Sequence, residues 1–189
     1  MPFYKKTTDA QSEINQGDIF SDIYFPPLDI RVNAVVITPT CDIVQNKAHF
    51  IKFISSVSLE FVIKIIANSI GVSESSFHSS SQISKKNHGD ILKVLRYNTT
   101  GNFLPRYYLM PKYKEILPAL YLDFQRIFVI PYQQVKEEYQ DNRVAKICTP
   151  WRESIASQYA GYSMRIGTPD YSNNQLNNIL RISGLRFPT

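Results

Sequence analysis

The chain has 189 residues, 43% hydrophobic and 20% charged, which suits one folded domain with a real core and excludes both a disordered chain and a fibrous repeat. Its net charge of +5 permits contact with nucleic acid or another anionic partner without requiring it. Two cysteines, Cys41 and Cys148, make no disulfide framework, and three scattered histidines complete no metal-ligand spacing, so no metal and no cofactor is expected.

In chain order, residues 1–15 are polar and read as a loose N-terminal arm with no apolar signal segment. Gln16-Gly17-Asp18 is turn chemistry. The alternation in DIFSDIYF then predicts a strand over 18–25, stopped by Pro26-Pro27. VNAVVIT, 32–38, is the strongest strand signal, and its unbroken Val-Val-Ile run implies burial on both faces. A further strand is expected over 49–57. Leu59, Val62, Ile63, Ile66 and Ile70 fall at helical spacing behind Ser58, so 58–71 is read as a helix despite its β-branched content.

The Ser-rich stretch 72–90 reads as a surface excursion, followed by a short helix over 90–98 with Asp90 as N-cap. Strands are expected over 106–110, 120–130 and 143–148. A last helix starts with Thr149 as N-cap and Pro150 at the first turn. It carries Trp151, Ile155, Tyr159 and Tyr162 as an apolar stripe and stops at Gly167. One more short helix is expected around 175–182. Together these predict a single α+β domain over 1–189: a curled antiparallel sheet or SH3-like small barrel, with an insertion at 58–98 and a C-terminal helix at 149–167. No run is apolar enough to span a membrane, and the poverty in cysteine suits the cytoplasm.

Candidate chemistry gathers after the buried strand. Cys41 and Asp42 follow Thr38-Pro39-Thr40, where strand ends commonly build sites. The thiol is a nucleophile if His49, His78 or His88 lowers its pKa; otherwise Cys41 packs as a small apolar residue and Asp42 caps a turn. Asp123 interrupts an apolar strand; if buried it requires Arg106 or Arg126 as partner. Arginine is dense near the C-terminus, and Arg152 and Arg165 with Tyr162 form a set suited to phosphate pairing and base stacking. The same residues equally fit a solvated basic face, or Arg152 tied to an internal carboxylate such as Asp42 or Asp123. No P-loop, G-x-G-x-x-G or G-x-S-x-G occurs.

GDIF (17–20), VVITPTCDI (35–43), RYYLMP (106–111), LYLDFQRIFVI (120–130) and TPWRESIASQYAGYSMRIGTP (149–169) resemble the signatures of a bacterial protein family with no assigned activity. More distantly, Gly17-Asp18-Ile19 and Ala34-Val35-Val36-Ile37-Thr38 are similar to the opening strands of the MazF/PemK toxins, SH3-like barrels that cleave RNA without a metal. Those toxins' catalytic arginine falls at Val32 here, with Arg31 one residue out of register, and their proline falls at Asn33. That resemblance implies nucleic-acid binding, RNA rather than DNA, with metal-independent cleavage as the further step. Arg31, Arg152 and Arg165 would then bind phosphate, and Tyr162 would stack. Asp42 or Asp123 would orient or deprotonate a 2′-hydroxyl, and Thr38 or Thr40 would hydrogen-bond the reacting phosphate. The alternatives are a non-catalytic protein-binding component of a bacterial defence or toxin–antitoxin-like assembly, alone or as a homodimer, and a hydrolase or transferase built on Cys41.

Overall fold

In the computed structural model, which describes residues 1–6, 13–71, 85–99 and 105–164, the strands form one antiparallel sheet. The strands are β1 (Tyr4–Lys6), β2 (Asp18–Phe25), β3 (Ile30–Val36), β4 (Phe50–Ser58), β5 (Tyr107–Met110), β6 (Leu120–Pro131) and β7 (Arg143–Ile147). Their order is β1-β7-β2-β3-β4-β6-β5. Among the described residues five α-helices accompany them: α1 (Thr40–Val44), α2 (Leu59–Ser69), α3 (Lys85–Thr99), α4 (Tyr132–Glu138) and α5 (Trp151–Ser163).

The sheet is buried on both faces, which is why Val-Val-Ile runs unbroken. Val35 packs with Ile19, Ile54 and Leu122 on one face, under Ile155 of α5. Ala34 and Val36 pack with Phe20, Phe53 and Phe128 on the other, beside Ile43 of α1 and Val135 of α4. Each such side chain withdrawn from water stabilises the fold by about 2 kcal/mol before entropy is charged against it. The sheet curls until its two edges touch. The Tyr4 hydroxyl donates to the Pro111 carbonyl at 2.7 Å, and the Tyr4 and Tyr113 rings lie 5.0 Å apart. No ladder joins β1 to β5 among the described residues, so the curl stops short of a closed barrel.

Several boundaries differ from the sequence reading. Tyr4–Lys6 pairs with β7, and Ile14 is fully buried, so the first fifteen residues are not simply a loose arm. Asp90 lies inside α3 rather than at its cap. Pro150, not Thr149, occupies the N-cap of α5, after a cis Thr149–Pro150 bond, and the Thr149 hydroxyl meets Glu153 instead of a backbone N–H. α1 and α4 were not foreseen. Both have a proline as N-cap, Pro39 three residues past β3 and Pro131 at the last position of β6, where the chain leaves the sheet and turns into a helix. Ser58 does cap α2, accepting the Phe61 N–H at 3.1 Å. The excursion over 72–84, Gly167 and the helix expected at 175–182 lie outside the described residues.

Candidate functional site

Pro39, three residues past the end of β3, begins the site. Beyond it the chain makes the single turn of α1 and folds back into β4. Two threonines pin this reversal: Thr38 Oγ1 accepts the Lys52 N–H at 2.7 Å, and Thr40 Oγ1 accepts the Gln16 N–H at 3.1 Å. The Asp42 carbonyl accepts the N–H groups of Lys47 and Ala48 at 2.8 and 3.1 Å, with Asn46 in the left-handed conformation at φ 54°. Asp42 is thereby brought over the start of β4, whose alternation points Phe50 and Lys52 to the same face.

An open cleft of about 580 Å³ results. Its polar lining includes Thr38, Asp42, Lys47, His49 and Lys52. Phe50, Val129 and Tyr159 form apolar walls, and Phe50 and Val129 are 57% and 54% exposed. A carboxylate, an imidazole and two ammonium groups beside accessible rings make a place where an anion with a planar apolar part is held. The Cys41 thiol lies outside that lining and points its Sγ at Asp42 Oδ1 at 3.5 Å. Cys41 is exposed, so it is not a packed core residue either.

The other candidates are dispersed. Asp123 is fully buried and clamped: Arg106 Nε and Nη2 donate to its two oxygens at 2.7 and 2.6 Å, the Gln125 N–H adds 3.0 Å, and Arg126 Nε stands 3.5 Å away. Every strong acceptor direction of that carboxylate faces a donor, and Asp123 does not line the cleft. Arg31 lies at a second, shallower cleft of about 410 Å³, paired to Asp22 at 3.1 Å and largely exposed. The Arg152 guanidinium is tied to Glu153 and Thr149, not to Asp42 or Asp123. Tyr162 packs against Phe124, ring centroids 6.0 Å apart, on the α5 side of the core. His88 is exposed on α3, while His78 and Arg165 lie outside the described residues.

The sequence reading missed Lys47, Lys52, Phe50, Val129 and Tyr159 as site residues. The signal present was the Thr-Pro-Thr reversal, which returns 47–52 antiparallel to the strand that delivers Asp42. A second missed feature joins two of the motifs. Gly17 has φ +86°, and a Cβ there would stand 3.0 Å from Cγ and Cδ of Arg152, so the stem of that arginine lies directly on the glycine. Beside it, burial pushes the Asp18 carboxyl above its ordinary range, opposed by the Asn15 N–H, Lys146 and Arg143.

Among the described residues, no group of three or more His, Cys, Asp or Glu is placed to hold a metal ion, and no helix is long and apolar enough to cross a membrane. Compared with protein-family models, curated proteins and solved structures, the chain has no match.

Proposed function

We propose that this chain binds single-stranded RNA in the cleft beside Asp42 and cleaves it without a metal. The observation that carries the reading is the convergence of Asp42, Lys47, His49 and Lys52 with the exposed Phe50 on one rim. In this reading Asp42 takes the proton of a 2′-hydroxyl. The 2′-oxygen attacks the adjacent phosphorus, and the bond to the 5′-oxygen breaks. Protonated His49 gives its proton to that leaving oxygen. The products are a 2′,3′-cyclic phosphate and a 5′-hydroxyl end. Lys47 and Lys52 offset the charge that develops on the phosphorane oxygens, and Phe50 and Tyr159 stack the flanking base. The β2–β3–β4 meander is taken as the counterpart of the SH3-like barrel in MazF/PemK toxins. A cytoplasmic role in a toxin–antitoxin-like or phage-defence setting belongs to the same proposal.

The test is a denaturing gel of end-labelled single-stranded RNA incubated with the protein in EDTA, beside Asp42→Asn. Cleavage reduced by about a hundredfold or more in the variant supports the reading. Intact RNA in every lane removes the cleavage step. RNA binding whose affinity ignores salt would remove the phosphate contacts as well. A second reading, docking of a protein, is favoured by the exposure of Val44, Phe50 and Val129, at 61%, 57% and 54%. A purified partner whose binding is lost in Phe50→Ser, with RNA left intact, would move the weight there.

A further inference from the structure

A second cluster of charge lies on other strands. Lys5 on β1 and Lys146 on β7 are directly opposed, and Lys146 is in turn opposite Asp18 on β2. Opposed residues project from the same face, so Lys5, Lys146 and Asp18 form one lateral row. Like charges directly opposite each other destabilise a sheet. Asp18 only partly offsets them. Its Oδ2 lies 3.2 Å from Arg143 Nη1 and accepts the Asn15 N–H at 2.8 Å, while its Oδ1 is 3.9 Å from Lys146 Nζ. Lys5 makes no ion pair among the described residues.

Arg152 adds a fourth cation, its stem lying on Gly17 beside Asp18 and its guanidinium shared with Glu153. Among the described residues, Asp18 is shared by Arg143 and Lys146, and Glu153 pairs with Arg152, which leaves the ammonium of Lys5 outside these ion pairs. The ammonium of Lys146 responds accordingly. Burial, then the neighbouring Lys5, Arg152 and Arg143, push its pKa below the ordinary lysine value against the pull of Asp18. One residue before Arg152, Trp151 is 38% exposed, and its ring stacks on that of Phe3 at 5.4 Å.

We propose that Lys5 and Lys146, with Arg152 beside them, bind a phosphate group at a second anion site, apart from the Asp42 cleft. Opposed residues in an antiparallel pair stand about 4.5–5.5 Å apart at Cα, so two lysine side chains converge on the oxygens of one phosphate. The anion relieves the repulsion that the bare sheet retains. The Phe3–Trp151 stack favours a phosphate that carries a base, the backbone of an RNA strand, over the free ion; in that form the site rests on the RNA-binding reading above.

The experiment is an NMR titration of the lysine ammonium signals in the full chain, with inorganic phosphate in one arm and an oligouridylate in the other. Movement of the Lys146 signal, with its pKa rising on saturation, supports the site. The exposed Lys5→Gln variant should weaken the responding ligand about tenfold and lower the salt slope of RNA binding by about 1. Saturation by RNA at far lower concentration than by phosphate identifies the backbone; saturation by phosphate alone identifies the free ion. A Lys146 signal unmoved in both arms overturns the proposal. RNA cleavage that persists while Lys146 stays silent removes this site and keeps the cleft. A Lys146 response without cleavage keeps this site and removes the cleavage step.

Discussion

Asp123 and Asp42 are the same residue type in opposite circumstances. Asp123 sits in β6 with no exposure, both oxygens held by Arg106 and a third contact from Gln125. Asp42 sits on a helical turn at the rim, where the thiol of Cys41 is its side chain's hydrogen-bond donor and a cleft opens beside it. The first charge is spent on holding the sheet together at the β5–β6 edge. The second has its electrostatic capacity left over for a ligand. A carboxylate in a strand therefore says little until its donors are known; a charge that meets only a weak thiol donor among the described residues is the one that points outward to chemistry.

The contrast is breakable. Asp123→Ala should cost about 3 kcal/mol in urea unfolding, because it leaves the Arg106 and Arg126 charges facing a buried gap. Asp42→Asn should change the same midpoint by less than about 0.5 kcal/mol while removing cleavage. Equal losses in both would erase the distinction. Next in size is Gly17→Ala. The left-handed backbone and the 3.0 Å approach of the Arg152 stem together should cost about 1–2 kcal/mol. Adding Arg152→Ala should recover the part due to contact and leave the part due to φ, which a double-mutant cycle reads directly. A glycine variant as stable as the parent would mean that α5 shifts freely over the sheet.

The smallest effect is expected at Glu13, which anchors the N-terminal segment to α4. The Tyr132 hydroxyl, at 2.6 Å, and then Lys136 hold its carboxyl below the ordinary value of 4.5. An acid whose folded pKa is depressed contributes stability above its unfolded pKa and loses it as pH falls through the folded value. The parent should therefore lose stability below pH 4.5 in a way that Glu13→Gln does not. The difference should stay under about 0.5 kcal/mol, since the group is screened by solvent. A larger difference would make this exposed contact resemble the Asp123 clamp.

Local chemistry made much of the scaffold legible from the sequence. The strand at Asp18–Phe25 follows from alternation, the doubly buried strand from its Val-Val-Ile run, and the start of α2 from Ser58, because period and capping are properties of a few neighbouring residues. The short helices α1 and α4 escaped that logic. Five and seven residues are too few for a helical period to register. The position of Asp42 at a strand end was readable too, and so were the two possible partners of Asp123. Only the tertiary structure decided which acid is clamped and which is open. It alone placed Lys52 and Tyr159 beside Asp42, the Arg152 stem on Gly17, and Lys5 opposite Lys146. Those relations are set by strand order and by the curl of the sheet, which bring residues far apart in the chain within a few ångströms of each other, and no local pattern encodes them.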